Sequence, residues 1–136
     1  MLAIVDSGPL YAAADLSDDD HQRSMDALQR RDLHLVIPTL VIAEVTYMVG
    51  KRLGSNAEAR FLTGLEQVDV EPPESDDWPR IGSLVAQYES FPLGGTDASV
   101  VALAERLDTD VIVTLDRRHF GAVKPRHCPA FRLLPE

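Results

Sequence analysis

Short apolar runs that stop at polar residues recur along the chain and divide it into alternating strands and helices. The first run covers residues 2–5 and ends at Asp6, and a similar run at 111–113 is followed closely by Asp116. Apolar runs bounded by turn-forming residues are typical of strands buried on both faces of a sheet. Three weaker runs predict further strands at 35–37, 68–70 and 131–133.

Between these runs the apolar residues recur with helical spacing. The predicted helices cover 7–14, 18–31, 40–53, 55–67, 75–88 and 96–107. Residue types that cap helix N-termini mark four of the starts, namely Ser7, Thr39, Ser55 and Thr96. In the helix at 75–88, the apolar side chains, including Trp78 and Val85, are expected to face the core. Strands that alternate with helices predict an α/β fold with a mainly parallel sheet.

Four acidic residues occupy positions that favour a shared site. Asp6 and Asp116 follow strands, and ligands of parallel sheets bind beyond the carboxyl ends of the strands. Asp97 lies at the start of a predicted helix. Glu44 lies in a helix that is apolar on nearly every side, where a carboxylate is costly unless it is paired or binds a metal. If the two strands are neighbours, all four acids converge.

Several carboxylates that lie close together cannot all ionise without a counter-charge. The donors here are all oxygen atoms, and the chain has no set of His and Cys residues with zinc-binding spacing. A hard divalent cation, Mg²⁺ or Mn²⁺, is therefore the expected counter-charge. Carboxylate-bound Mg²⁺ serves in phosphoryl transfer, where it activates water and neutralises phosphate charge.

Each acid also has a structural explanation that the sequence leaves open. Asp6 could cap the first helix, and Asp97 could be favoured by the positive end of its helix dipole. Asp116 could form an Asx-turn. Glu44 could have an ion-pair partner elsewhere in the fold, because the cations on its own helix lie too far away for an i,i+4 pair.

Length and charge add two constraints. A chain of 136 residues predicts one domain, 1–136, with a core of its own. The net charge of −9 argues against a nucleic-acid partner, but the distribution is uneven. Residues 1–116 hold 8 Lys and Arg against 21 Asp and Glu, whereas residues 117–136 hold 5 against 1. The basic segment begins with Arg117 and Arg118, so it could place a phosphate beside Asp116, or it could simply be a solvated surface.

The sequence favours a cytoplasmic, soluble protein. The single cysteine, Cys128, fits a reducing compartment, and no Lys or Arg precedes the first apolar run as in a signal peptide. The longest apolar stretch, 40–49, is interrupted by Glu44 and is shorter than a membrane span.

Four motifs together resemble the PIN-domain family, in particular the VapC-type ribonuclease toxins of prokaryotic toxin–antitoxin pairs. In order they are Ile4-Val5-Asp6-Ser7, Val41-Ile42-Ala43-Glu44-Val45, the segment from Thr96-Asp97-Ala98 to Ala104, and the segment from Ile112 through Asp116-Arg117-Arg118-His119 to Phe120. Each motif is weak alone, but the four in this order and spacing are fairly specific.

The resemblance implies a three-layer fold with a five-stranded sheet of order 3-2-1-4-5. It implies Asp6, Glu44, Asp97 and Asp116 as catalytic and metal-binding acids for Mg²⁺ or Mn²⁺, with Ser7 and Thr114 in support. It also implies a homodimer and a small antitoxin partner whose tail lies across the active-site groove. Many relatives carry another acid where this chain has His119, so a second metal site would have fewer carboxylates here.

The resulting hypothesis is metal-dependent hydrolysis of RNA, with Arg117 and Arg118 contacting substrate phosphates. Three alternatives stay open: a housekeeping RNA-processing PIN nuclease, a phosphoacceptor receiver-like domain, and a metal-free binding module. A receiver would need an acidic pair directly after the first strand, and here Ser7 follows Asp6. Candidates for exposed apolar contacts with the antitoxin are Tyr11, Tyr47, Met48 and Phe61.

Overall fold

A five-stranded sheet forms the centre of the molecule. The computed structural model describes all 136 residues, Met1–Glu136. The strands are β1 (Leu2–Val5), β2 (His34–Pro38), β3 (Asp69–Glu71), β4 (Val111–Val113) and β5 (Arg132–Leu134). Their order is β3-β2-β1-β4-β5, and every neighbouring pair is parallel. The predicted sheet is therefore confirmed, with strand ends shifted by one residue at most.

Seven helices connect and flank the strands. They are α1 (Ser7–Ala14), α2 (His21–Leu28), α3 (Thr39–Leu53), α4 (Ser55–Gly64), α5 (Asp77–Gln87), α6 (Gly95–Arg106) and α7 (Arg117–Ala122). A short 3₁₀ turn follows α4 at Leu65–Gln67.

The expected cap residues Ser7, Thr39, Ser55 and Thr96 all lie inside their helices. The residues that precede these helices are Asp6, Pro38, Gly54 and Gly94, and none caps its helix with a side chain. The cap predictions were wrong because each helix begins at or before the predicted cap, so that residue already belongs to the first turn. Only Asp6 separates β1 from α1, and nothing separates β2 from α3.

The side on which successive strands are added to the sheet changes between β1 and β4. Strand β1 pairs with β2 on one side and with β4 on the other, where Val5 lies opposite Val113. The backbone N–H of Asp6 extends this pairing by donating to the Val113 carbonyl at 2.9 Å. Such a switch point leaves a crevice at the carboxyl ends of the two strands. The residues that directly follow β1 and β4 lie at this crevice.

The core is one continuous cluster of buried apolar residues around β1, β4 and α6. Residues 98–104 of α6 are all buried, although most helices bury a single stripe. Four of these seven residues are Ala or Ser, and small side chains allow neighbouring elements to approach on every side. The position of α6 fixes the residues at its N-terminus, including Asp97.

Helix α5 differs from the prediction. Ile81 and Leu84 are buried, but Trp78 is 52% exposed and Val85 is 38% exposed. Trp78 and Val85 are seven residues apart and share the outer face of the helix. Since α5 packs mainly against α6, a narrow stripe is enough to bury its inner face. No helix of the fold has both the length and the apolar character needed to cross a bilayer.

Candidate active site

An open cleft of about 640 Å³ lies at the carboxyl ends of β1 and β4. The residues that line it are Asp6, Ser7, Gly8, Glu44, Met48, Gly94, Gly95, Thr96, Asp97, Leu115 and Asp116. All four predicted acids are therefore in one cleft, although they come from four separate segments. Arg117 and Arg118 follow Asp116 directly and are exposed, and Thr114 lies buried below the surface of the cleft.

Asp6 is the most deeply placed acid and is only 5% exposed. The Thr114 hydroxyl donates a 2.7 Å hydrogen bond to Asp6 Oδ2. The same hydroxyl oxygen accepts a 2.9 Å hydrogen bond from the backbone N–H of Asp116. The Val5–Val113 register explains this contact, because the next residue on each strand is Asp6 and Thr114. One hydroxyl thus joins the two strand-end segments and fixes the orientation of Asp6.

Asp116 both caps α7 and faces the cleft. Its Oδ1 accepts the backbone N–H of His119 at 2.9 Å, and its Oδ2 pairs with His119 Nδ1 at 2.8 Å. Asp116 thus has the local structural role that the sequence left open, and it also lies in the acidic cleft. Sequence reasoning did not assign His119 this contact. The i,i+3 spacing of an acid and a histidine at a helix start is the signal that would have indicated it.

Asp97 lies in the first turn of α6 and feels the other acids. Burial and the negative charges of Asp6, Asp116 and Glu44 raise the pKa of Asp97 from 3.8 to about 6, while His119 opposes the shift. Burial is the larger cause, and the three neighbouring carboxylates add to it. The raised pKa of Asp97 is therefore consistent with a shared acidic cleft.

Burial also raises the pKa of Asp6 above its ordinary value. The hydrogen bond from Thr114 lowers this pKa, while the charges of Glu44 and Asp116 add to the upward shift. Two of the four acids are thus held where their charged forms are disfavoured. A cation in the cleft would relieve both shifts.

Glu44 is exposed, so the prediction of a carboxylate on a buried helix was wrong. Only Val41, Val45 and Val49 of α3 are buried, and they form a single stripe with a spacing of four residues. The other apolar residues of the helix are partly or fully exposed, and Met48 lines the cleft with Glu44. Glu44 therefore needs no buried counter-ion. The argument that it belongs to the site is that it lines the cleft with the other three acids.

Ser7 contributes a polar atom without a partner. It is 6% exposed, lines the cleft, and its buried Oγ forms no hydrogen bond within the protein. A buried hydroxyl without a partner is unfavourable, and it is usually satisfied by a ligand or an ordered water. Ser7 Oγ is thus available to a molecule bound in the cleft.

The donor set fits a hydrated divalent cation. All four acids offer carboxylate oxygens, as Mg²⁺ and Mn²⁺ prefer. No three His, Cys, Asp or Glu side chains stand close enough together to enclose an ion by themselves. Mg²⁺ usually keeps several waters and binds through one or two carboxylates, so an open acidic cleft with a free hydroxyl suits it.

Comparison with models of known protein families decides the family. The model of the PIN domain matches residues 3–124. The chain belongs to the PIN domain family. Among sequences, this PIN domain is similar to Ribonuclease VapC26 from Mycobacterium tuberculosis, with 34% identity over 137 residues that cover 97% of the chain and 99% of the relative.

Solved structures share the fold of this PIN domain. Mycobacterium tuberculosis VapC20, described as a sarcin-ricin loop cleaving toxin, superposes with a TM-score of 0.73 at 15% identity, covering 81% of this chain and 86% of that one. A toxin–antitoxin complex from Klebsiella pneumoniae gives a TM-score of 0.64 at 16% identity, covering 89% and 92% of the two chains. The chain has the sheet order expected from the family resemblance, and it shares its fold with these solved structures.

Proposed function

We propose that this PIN domain is a metal-dependent endoribonuclease that acts as the toxin of a toxin–antitoxin pair and hydrolyses RNA phosphodiesters. The observation that carries the proposal is the acidic cleft, to which four separate segments each contribute one carboxylate. The 34% identity to a ribonuclease over nearly the full length supports the same activity. One continuous core supports the assignment of residues 1–136 to a single domain.

The four acids would have different roles according to their burial. Asp6, Asp97 and Asp116, together with water molecules, would hold Mg²⁺ or Mn²⁺, and Glu44, on the exposed wall, would be a further ligand or orient the attacking water. When bound, the cation activates water and neutralises charge on the phosphate. Thr114 would keep Asp6 in one orientation through their 2.7 Å hydrogen bond. His119 contacts each oxygen of Asp116 once, so each oxygen keeps a lone pair with which Asp116 could bind the cation.

Two arginines would bring the RNA strand to the acids. Arg117 and Arg118 are exposed at the start of α7, directly after Asp116. In a chain of net charge −9, cations at this position offset the repulsion between a polyanion and the cleft. We assign them to substrate phosphates, which position a strand without reading its sequence.

Cleavage-site mapping on total RNA tests the activity. The wild type should cut RNA in Mg²⁺ or Mn²⁺ and lose the activity in EDTA. Asp6→Asn should abolish cleavage and keep the wild-type circular dichroism spectrum, because the amide preserves the size of the side chain. The proposal is abandoned if Asp6→Asn still cuts RNA or if EDTA leaves wild-type cleavage unchanged.

An apolar groove supports the antitoxin partner. A depression of about 830 Å³ lies between α1, α2 and α4, and most of its lining is apolar, including Leu10, Leu16, Met25, Leu28 and Phe61. Such a groove suits the apolar face of an amphipathic helix. We therefore place a helix of the antitoxin here. Of the four contact residues proposed from sequence, Phe61 lies in this groove, whereas Met48 lines the cleft and Tyr11 is buried in the core.

The proposed homodimer has its own measurement. Trp78 and Val85 on α5 and Tyr47 on α3 are exposed large apolar residues that a partner could cover. Analytical ultracentrifugation should give about twice the chain mass of 15.0 kDa. A monomer across micromolar concentrations would contradict the dimer and leave the nuclease proposal intact. An antitoxin gene beside this one would distinguish a toxin from a housekeeping nuclease.

A further inference from the structure

A small aromatic and cationic cluster connects the two segments that border the acidic cleft. Phe91 lies in the loop between α5 and α6, three residues before Gly94, which lines the cleft. Its ring centroid is 4.9 Å from Arg118 Cζ and 4.7 Å from the ring centroid of His119, with 40° between the two ring planes. The loop before α6 and the start of α7 therefore meet at Phe91.

Arg118 differs from Arg117 and Arg80 in its contacts. Arg117 donates from Nη1 to the Pro135 carbonyl at 3.1 Å, and Arg80 is paired with Glu105 at 2.8 Å. Arg118 is exposed, and it takes part in none of the ion pairs of the molecule. Its guanidinium is thus held by an aromatic face rather than by a carboxylate. The hydrogen-bond donors of Arg118 stay available to an anion.

An arginine that is held in place binds an anion better than one that moves freely. A free arginine side chain loses much rotamer entropy when it grips a phosphate. Stacking on an aromatic ring removes part of that loss in advance and leaves the charge intact. Phe91 is half-buried, which restricts the motion of its ring.

We propose that Phe91 is a positioning residue that holds the Arg118 guanidinium at the rim of the acidic cleft, where it binds a phosphate of the RNA strand next to the one that is cut. The inference rests on the proposed ribonuclease function and names a residue that the family motifs do not include. Phe91 acts through Arg118 and does not itself contact the reacting atoms.

A second route from Phe91 to the site runs through His119, and it makes a different prediction. The His119 ring touches Phe91 and pairs with Asp116 at 2.8 Å. If Phe91 served mainly to hold His119, its loss would disturb an acid of the cleft and lower kcat. If Phe91 positions Arg118, its loss weakens substrate binding and raises KM while kcat stays near the wild-type value.

Steady-state cleavage of a labelled single-stranded RNA oligonucleotide in Mg²⁺ separates these routes. Phe91→Leu should raise KM about two- to fivefold, the effect of losing one exposed cation–π contact. Phe91→Tyr, which keeps the aromatic face, should behave as the wild type. Arg118→Ala should raise KM at least as much as Phe91→Leu. In the Arg118→Ala background, Phe91→Leu should add nothing, because the group that it positions is absent.

Binding of the same RNA in EDTA, followed by fluorescence anisotropy, gives a readout without catalysis. Both Phe91→Leu and Arg118→Ala should weaken binding by a similar factor for RNAs of different sequence, as expected for a phosphate contact. Thermal unfolding of each variant checks that the fold is retained. If Phe91→Leu proves unstable, Phe91→Met, which also removes the aromatic face and keeps an apolar side chain, replaces it in each comparison.

Three outcomes overturn the inference. A fall in kcat with unchanged KM assigns Phe91 to the His119 route. An effect of Phe91→Leu that persists in the Arg118→Ala background means that the ring contacts RNA directly. Unchanged KM and binding in Phe91→Leu show that Arg118 needs no positioning. If the wild type cleaves no RNA, the proposed function fails instead, and anisotropy alone then decides the role of Phe91.

Discussion

Replacement of Asp97 by asparagine should stabilise the metal-free protein at neutral pH while it removes activity. Burial and three neighbouring acids raise the pKa of Asp97 from 3.8 to about 6. At about 1.4 kcal/mol per pKa unit this shift corresponds to about 3 kcal/mol. Asp97 is only partly buried, and solvent screening reduces the figure, so we expect a gain of about 1.5 kcal/mol.

The gain should depend on pH in a defined direction. The pKa of Asp97 is higher in the folded than in the unfolded state. The wild type therefore loses free energy of unfolding only at pH values where the carboxylate ionises. Below about pH 3.8 the acid is protonated in both states, and wild type and variant should be equally stable. Between pH 4 and about 6 the wild type should lose stability relative to Asp97→Asn, and the difference should level off above pH 7.

One opposing effect is built into the helix. Asp97 lies in the first turn of α6, where the helix dipole favours a negative charge by about 0.3–1 kcal/mol. This term is smaller than the penalty of about 1.5 kcal/mol that burial and the neighbouring acids together impose on the carboxylate. The sign of the measured change therefore reports which of the two effects dominates at Asp97.

Urea denaturation in EDTA between pH 4 and 8 measures the change. Asp76→Asn is the matched control, because Asp76 is an exposed acid at the start of α5 that forms no side-chain cap and lies outside the cleft. This control should change stability by less than about 0.5 kcal/mol at every pH. If Asp97→Asn is destabilising at pH 7.5, or if its effect does not vary with pH, the electrostatic account of the cleft is wrong. Added Mg²⁺ should stabilise the wild type more than Asp97→Asn.

Three further predictions concern separate parts of the fold. Thr114→Val removes the donor to Asp6 and should lower cleavage about tenfold or more, while Thr114→Ser should retain most of the rate; equal rates for the two variants would contradict a role for the hydroxyl. Arg80→Ala should cost about 2 kcal/mol in urea denaturation, because it leaves the nearly buried carboxylate of Glu105 with only a backbone partner; a change near zero would show that the pair contributes nothing. Leu16→Glu should weaken antitoxin binding about tenfold by calorimetry without affecting cleavage, because Leu16 is 86% exposed in the apolar groove; unchanged affinity would place the antitoxin elsewhere.

The strands and helices could be read from the sequence because burial imposes a visible pattern. Strands β1 and β4 are buried on both faces, so their residues are uniformly apolar and the runs at 2–5 and 111–113 match the strands residue for residue. The edge strands β3 and β5 were each predicted one residue too early. Helix caps failed as predictions, because residue types that suit a cap also occur in the first turn and do not fix where the helix begins.

The acidic set was visible in sequence, but the reasons for it were only partly correct. Asp6 and Asp116 follow central strands, and the parallel sheet brings them to one edge. Glu44 was singled out as a buried charge, and the structure shows it exposed on the wall of the cleft. The apolar character of α3 comes from a core stripe together with residues that face the cleft and the solvent, and a one-dimensional pattern cannot separate these surfaces.

The sequence by itself determined which segments form the sheet and helices, because buried backbone requires apolar runs of the right period. It also determined the chemistry available at the strand ends, since residue types are fixed whatever the fold. Only the tertiary structure decided that Thr114 holds Asp6 and that Phe91 meets Arg118. Both contacts join residues far apart in the chain, and both depend on strand register and helix placement. Those quantities are set by packing of the whole molecule, so no local pattern encodes them.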